Sequence, residues 1–302
     1  MNQGATPVTT TQAELGEGVI WDDRRDELLH VDIPAGLMYR ERIADDGSLV
    51  RVDTHDVRGS IGAVVPIEGD DGWLVARDRG VAYLSLDGVV RPIAELAPAG
   101  VKMNDAACDP QGRFWVGTIA DVDGGAALYR LDPDGRTSLV REGLTISNGI
   151  DWSPDGHTMY LADSGPGVVH AFDFDERGTI ANERVFLVLP EESGTPDGLT
   201  VDTSGDLWVA IWGGGRVARY GADGTLREEL PVPAVETTSC AFAGPGLHWL
   251  FVTTATENWT DEQRRAAPGA GLLYRLETAA TGRPAARFRP EPGWWATVRG
   301  SG

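Results

Sequence analysis

The sequence predicts an all-β fold, a six-bladed β-propeller with four-stranded antiparallel blades. Three observations carry this expectation. Six short segments repeat one pattern, and their first residues, Glu17, Ile61, Asn104, Asn148, Asp197 and Thr238, lie 44, 43, 44, 49 and 41 positions apart. That is the period of a propeller blade. Helical periodicity is nearly absent, and short apolar runs alternate with Gly, Pro, Asp and Asn at the intervals of hairpins. Six blades of this length also consume most of the 302 residues. One propeller domain over 1–302 is therefore expected, with an ordered core from about residue 8 to about residue 290.

Each repeat reads in the same order. An inner strand begins at the marked residue, and its third and fifth residues are almost all apolar: Val19/Trp21, Ala63/Val65, Ala106/Cys108, Ile150/Trp152, Leu199/Val201 and Cys240/Phe242. That alternation places them on one face, against a neighbouring blade. The second residue is Gly in four repeats, with Asp105 and Ser239 in the others, and small residues there let backbones crowd toward the axis. A turn and a second strand follow, as in Asp109-Pro110-Gln111-Gly112 before Phe114-Trp115-Val116 and Asp202-Thr203-Ser204-Gly205 before Leu207-Trp208-Val209. Third strands include Ala127–Leu131, Val168–Phe172, Arg216–Tyr220 and Leu272–Leu276, then turn signals such as Asp134-Gly135 and an outer strand. Trp21, Trp115, Trp152, Trp208 and Trp249 fall at strand positions and read as core, whereas Trp212, before Gly213-Gly214-Gly215, sits where a ring can project toward the channel mouth. The one long irregular excursion is Thr254–Gly271, in which Thr260 and Gln263 have the spacing of a capping box.

The net charge of −20 argues against binding to nucleic acid or to an anionic membrane surface. Many of the acids lie in turns, where Asp caps its own backbone. No apolar run approaches 18 residues, so no membrane-spanning helix is expected, and no basic start with an apolar run suggests a signal peptide. The two cysteines, Cys108 and Cys240, belong to opposite repeats and read as buried free thiols in a reducing cytoplasm.

In a closed ring, equivalent positions converge on the axis. Glu17, Asn148 and Asp197 then share one channel, each followed by Gly and an aliphatic residue. Buried unpaired, such groups cost several kcal/mol each, of order 2–7, and a divalent cation removes that cost. Two carboxylates balance its charge and Asn adds a neutral oxygen. An oxygen-only set favours Ca²⁺, Mg²⁺ or Mn²⁺ over structural zinc. Three protein ligands leave positions open for a carbonyl and a water, the chemistry of opening an ester or lactone. Asp197 is the candidate to take the proton from that water. Asn104 holds the ring position of the third blade, and Lys102, the only lysine in the sequence, lies two residues before it. Both suit substrate hydroxyls or a developing oxyanion. The five histidines form no ligand spacing. No Gly-x-Ser-x-Gly is present, and no His is placed beside either Cys, so serine- and cysteine-hydrolase readings find no support.

These motifs closely resemble the gluconolactonase family that includes senescence marker protein (regucalcin). They are Leu15-Gly16-Glu17-Gly18, Asn104-Asp105 with Asp109-Pro110-Gln111-Gly112-Arg113, Ser147-Asn148-Gly149 with Trp152-Ser153-Pro154-Asp155-Gly156, Pro196-Asp197-Gly198-Leu199, and Thr238-Ser239-Cys240-Ala241-Phe242. The likeness runs from about Leu15 to about Leu276. It implies one catalytic divalent metal held by Glu17, Asn148 and Asp197, with Asp197 as acid/base and Asn104 as a substrate contact. The family's arginine two residues before that Asn is Lys102 here, which keeps the charge and loses the bidentate fork. A further acidic substrate contact of some members falls near Asp121–Asp123, where the local sequence does not match. Relatives use several divalent ions, so calcium is the first expectation, with zinc, manganese, magnesium and ferrous iron open. The expected activity is metal-dependent hydrolysis of a small-molecule sugar lactone of gluconolactone, xylonolactone or arabinonolactone type. The rivals are a phosphotriester hydrolase on the same scaffold and a non-catalytic calcium-binding propeller.

Overall fold

The computed structural model describes residues 4–300. It contains six antiparallel sheets of four strands each, arranged as propeller blades. Blade 1 comprises Gly16–Asp22, Glu27–Asp32, Leu37–Ile43 and Leu49–Asp56. Blade 2 comprises Ile61–Pro66, Trp73–Arg77, Gly80–Leu84 and Val90–Glu95. Blade 3 comprises Lys102–Cys108, Phe114–Ile119, Ala126–Leu131 and Thr137–Leu144. Blade 4 comprises Ser147–Trp152, Thr158–Asp163, Val168–Phe174 and Ile180–Val188, and blade 5 comprises Thr195–Val201, Leu207–Trp212, Arg216–Tyr220 and Leu226–Pro231. In blade 6, Thr237–Ala243, Trp249–Thr254 and Tyr274–Glu277 are completed by Thr6–Pro7 from the other end of the chain, so the first strand closes the last sheet.

The first strand of every blade is innermost, and each inner strand packs on the inner strands of both neighbouring blades, which closes the ring. All six run in the same sense along the axis. The end at which they begin is called the upper face below.

Acidic turn residues shape the lower face. Asp109 Oδ1 accepts hydrogen bonds from the Gln111 and Arg113 amides, and its Oδ2 accepts one from Trp115 Nε1 at 2.8 Å. Asp202 does the same for Ser204, Asp206 and Trp208. Turn chemistry and core packing are thus served by one carboxylate. Between blades the core is aromatic: Trp115, Trp152 and Phe174 meet with centroids 5.6–6.0 Å apart, and Trp208 meets Phe242 edge-on at 5.6 Å. Each such ring removes roughly 150–250 Å² from water, worth about 4–6 kcal/mol as an upper figure.

Every inner strand carries a one-residue bulge just below its start. In blade 1, Glu17 opposes Val31 while Ile20 opposes Leu29, and blades 2 to 6 repeat the slip. A bulge re-aims the side chains on either side of it. The glycine beside it answers to crowding at the axis: a Cβ on Gly149 would stand 2.4 Å from the Leu199 nitrogen, and one on Gly62 would stand 2.2 Å from the Asn104 oxygen.

Two elements lie outside the expected core span. Thr6–Pro7 is the closing strand, and Pro292–Arg299 is a helix. The helix ends a strap that crosses the lower face. Arg283 donates to the carbonyls of Val201 and Trp152 and to Asp151. Phe288 is fully buried and hydrogen bonds through its backbone to Pro66 and Glu68. Trp295 stacks edge-on with Tyr83 and donates to Asp70. Cys108 and Cys240 are buried free thiols, as expected. No helix is long and apolar enough to cross a membrane among the described residues.

Candidate active site

The starts of the inner strands are pinned from behind. In blades 1 and 4 an acid at the end of the second strand accepts hydrogen bonds from the backbone just before the inner strand. Asp32 binds the amides of Glu14 and Leu15, and Asp163 those of Thr145 and Ile146. Those anchors fix where Glu17 and Asn148 enter the channel.

Glu17, Asn148 and Asp197 are all buried at the upper end of their strands, with 5%, 7% and 4% of their surface exposed. Glu17 Oε2 accepts from the Gly18 amide at 3.0 Å. Burial, with the charge of Asp105 adding to it, nevertheless pushes the Glu17 carboxyl up to about 8. Asp197 is raised well above the ordinary carboxyl range, first by burial and then by Glu17 and Asp105. Glu17 and Asp197 are thus within electrostatic reach of one another and of Asp105 in poorly solvated surroundings. Asp197 Oδ1 is buried and has no hydrogen-bond partner.

Asn148 is held by a short network. Its Nδ2 donates to Ser164 Oγ at 2.9 Å, and Ser164 Oγ donates to the carbonyl of Pro196 at 2.6 Å, next to Asp197. Asn104 Nδ2 donates to Asn148 Oδ1 and to the Ser147 carbonyl, both at 3.0 Å. With both amide hydrogens spent, Asn104 keeps its Oδ1 as a free acceptor. Lys102 is the first residue of the same strand, exposed at the upper rim, and is the only lysine in the chain.

Two of the six ring positions do not line the channel as the repeat suggested. Thr238 is fully buried, its hydroxyl bonded to the Gly16 carbonyl at 2.6 Å and to Thr253 Oγ1 at 2.8 Å, so it ties blade 6 to blade 1. Ile61 is packed among Leu29, Val31 and Trp73. Trp212 is half-buried at the upper end of its strand, and Asp121–Asp123 lie in an exposed loop. The Thr260–Gln263 capping box is present, at the start of the helix Asp261–Ala266.

Sequence reasoning missed Asp105 and Ser164. Asp105 occupies a position that four blades fill with Gly and that reads as packing. Its carboxyl, raised by burial to about 6, instead lies close enough to influence Glu17 and Asp197. The signal was an acid in place of a glycine. Ser164 lies outside the repeat's first strand and gave none. Below this tier is a cavity of about 510 Å³, walled by Asp105, Ser239, Trp152 and Leu199 and floored by strap residues including Arg283 and Arg287.

Among the described residues no three His, Cys, Asp or Glu side chains form a cation cluster. A cation at the upper tier would rest on Glu17, Asp197 and the Asn148 amide oxygen, an all-oxygen set of hard-cation type. The unpartnered Asp197 oxygen and the mutual repulsion of the buried carboxyls fit such a group.

A family model described as "SMP-30/Gluconolactonase/LRE-like region" matches residues 15–256. The chain belongs to this family. A pentonolactonase from Haloferax volcanii is 36% identical over 284 residues, covering 92% of this chain and 96% of that one. An L-arabinolactonase from Azospirillum brasilense is 35% identical over 300 residues, covering 95% and 96%. Among solved structures, a calcium-binding protein, regucalcin, from Agrobacterium tumefaciens superimposes with a TM-score of 0.88 at 28% identity, covering 95% of this chain and 98% of that one.

Proposed function

We propose that this protein is a metal-dependent sugar lactonase that opens an aldonolactone to its aldonic acid. The observation that carries the reading is the buried, unpartnered Oδ1 of Asp197 beside Glu17 and Asn148 at the head of the channel. Membership of a family whose members include a pentonolactonase and an L-arabinolactonase supports it. So does a fold shared with a calcium-binding regucalcin, and calcium is the first candidate ion, with zinc, manganese, magnesium and ferrous iron as alternatives.

In this reading Glu17, Asn148 and Asp197 would hold a divalent cation, which when bound would supply polarisation of a carbonyl. Asp197 accepts the proton of the attacking water, the role a carboxylate of raised pKa suits. The tetrahedral centre then collapses, the ring C–O bond breaks, and the leaving alkoxide takes the proton back from Asp197 to give the hydroxy acid. Asn104 Oδ1 accepts a substrate hydroxyl hydrogen, and Lys102 donates to hydroxyl oxygens at the rim. That the lower cavity has neither Glu17 nor Asp197 in its walls supports the upper tier as the seat of this work.

A pH-stat panel of gluconolactone, xylonolactone, arabinonolactone and a phosphotriester tests the proposal. Turnover of at least one lactone above its spontaneous opening, with none of the phosphotriester, is the expected result. Preferential phosphotriester turnover assigns the scaffold to the rival chemistry. Cation binding without turnover of any member of the panel makes it a binding protein.

A further inference from the structure

We propose that Glu257 determines substrate specificity, its carboxylate standing across the channel mouth from Lys102 and accepting the hydroxyl hydrogens of a neutral, polyhydroxylated lactone. The proposal rests on the lactonase reading above.

The placement follows from how the segment after Trp249–Thr254 is tied down. That strand rises to the upper face of blade 6, and Ala255 continues it by bridging to Leu15, two residues before Glu17. Thr256 then donates its amide to the Glu14 carbonyl and its hydroxyl to the Ala13 carbonyl, both at 2.9 Å. The Trp259 amide returns to the Thr256 carbonyl at 3.1 Å, and Asn258 adopts the left-handed region at φ 60° to close the turn. The Trp259 ring nitrogen is anchored on Glu236 at 2.9 Å, and Arg264 of the following capped helix bonds to Thr256. Glu257 is thus the second residue of a braced turn on the rim, not part of a loose excursion.

Its carboxylate is half-buried, and no hydrogen bond or ion pair engages it among the described residues. Lys102 is likewise free of ion pairs among them. The two stand on blades 6 and 3, which oppose each other across a six-membered ring. They act on one another through space: burial and the charge of Glu14 raise the Glu257 carboxyl, and Lys102 pulls it back down.

The chemistry completes a set that is otherwise unbalanced. A lysine ammonium only donates, and Asn104 has one free acceptor. A sugar ring presents several hydroxyls, each donating as well as accepting. Glu257 supplies the missing acceptor on the far side of the mouth, where a hydroxyl that receives from Lys102 or solvent gives its hydrogen away. The same carboxylate, with Glu14 beside it, repels a lactone that carries its own carboxylate.

The test compares the wild type with Glu257→Gln and Glu257→Asp on three probes: glucono-1,5-lactone, the hydroxyl-free δ-valerolactone, and a glucarolactone bearing a free carboxylate. Glu257→Gln should raise KM for gluconolactone about tenfold, the effect of replacing a charged acceptor by a neutral one, with kcat changed less than about threefold. It should leave KM for δ-valerolactone unchanged and improve kcat/KM for the glucarolactone. Glu257→Asp should recover part of the gluconolactone KM. An unchanged gluconolactone KM in Glu257→Gln overturns the proposal. So does an equal rise for δ-valerolactone, which would mark a merely structural residue. A wild type that opens none of the three overturns the lactonase reading itself, and the proposal with it.

Discussion

Ser164 dictates which atom Asn148 presents to the channel. A serine hydroxyl has one hydrogen, and Ser164 gives it to the Pro196 carbonyl at 2.6 Å. Toward Asn148 it can only accept, which it does at 2.9 Å. The Asn148 nitrogen is therefore committed to Ser164 and its oxygen faces the site. One serine, contributed by the loop after the second strand of blade 4, orients a proposed ligand and braces the backbone beside Asp197.

Ser164→Ala should release that amide. Removing such a supporting partner costs about 10–100-fold in metal affinity, and the broken buried network costs about 1–3 kcal/mol of stability. Calcium titration calorimetry and urea unfolding measure the two. Unchanged calcium affinity would show that Asn148 needs no such support.

Asp197→Asn should separate function from stability. The substitution removes the proton acceptor, which costs about 10²–10⁴-fold in rate. It also removes a buried carboxyl whose ionisation burial opposes and whose Oδ1 has no partner, so the metal-free protein should gain about 1–2 kcal/mol. Lactone hydrolysis and urea unfolding in chelator provide the readings. A destabilised, fully active variant would be the contrary result.

The stability of the metal-free protein should fall as pH rises. Glu17 titrates near 8 in the folded protein against 4.5 unfolded, and Asp105 near 6 against 3.8, so the folded state binds more protons between those values. The associated stability is complete below about pH 4 and is lost as the pH rises through 6 and then 8. Between pH 5 and pH 8 the loss should amount to about 3–5 kcal/mol, most of it from Glu17. Calcium should reverse it and release protons on binding. Chemical unfolding at stepped pH, with and without calcium, checks the sign. Stability that rises with pH in chelator would contradict it.

The strap should matter to the fold and not to the site. Phe288 is fully buried on the lower face between blades 2 and 3. Phe288→Ala should cost about 3–5 kcal/mol and leave calcium affinity unaltered at the other end of the channel. Calorimetry of unfolding and of binding gives both values.

What the sequence made legible follows from what a repeat records. A blade period marks where inner strands begin, and in a ring those starts must meet, so Glu17, Asn148 and Asp197 could be grouped. It does not record register. The bulge inserts one residue opposite a partner strand, and only the pairing, such as Glu17 with Val31, reveals it. Thr238 and Ile61 were misplaced for a related reason: strand position is shared, but the neighbouring blade decides whether a side chain meets the channel or the core. Asp105 was hidden by assuming that a position usually filled by Gly only packs. The tail after Arg283 has no periodicity, so isolated Phe288 and Trp295 gave no sign of the strap they anchor. Local signals held where the physics is local, as in the Thr260–Gln263 capping box.

The most direct test of the central claim is lactone hydrolysis by exhaustively chelated protein, before and after restoring a divalent cation, for the wild type and Asp197→Ala. The wild type should fall to the spontaneous rate in chelator and recover when calcium or another competent ion is added, while Asp197→Ala, still folded, should not recover. Full activity in chelator, and in Asp197→Ala, would contradict it.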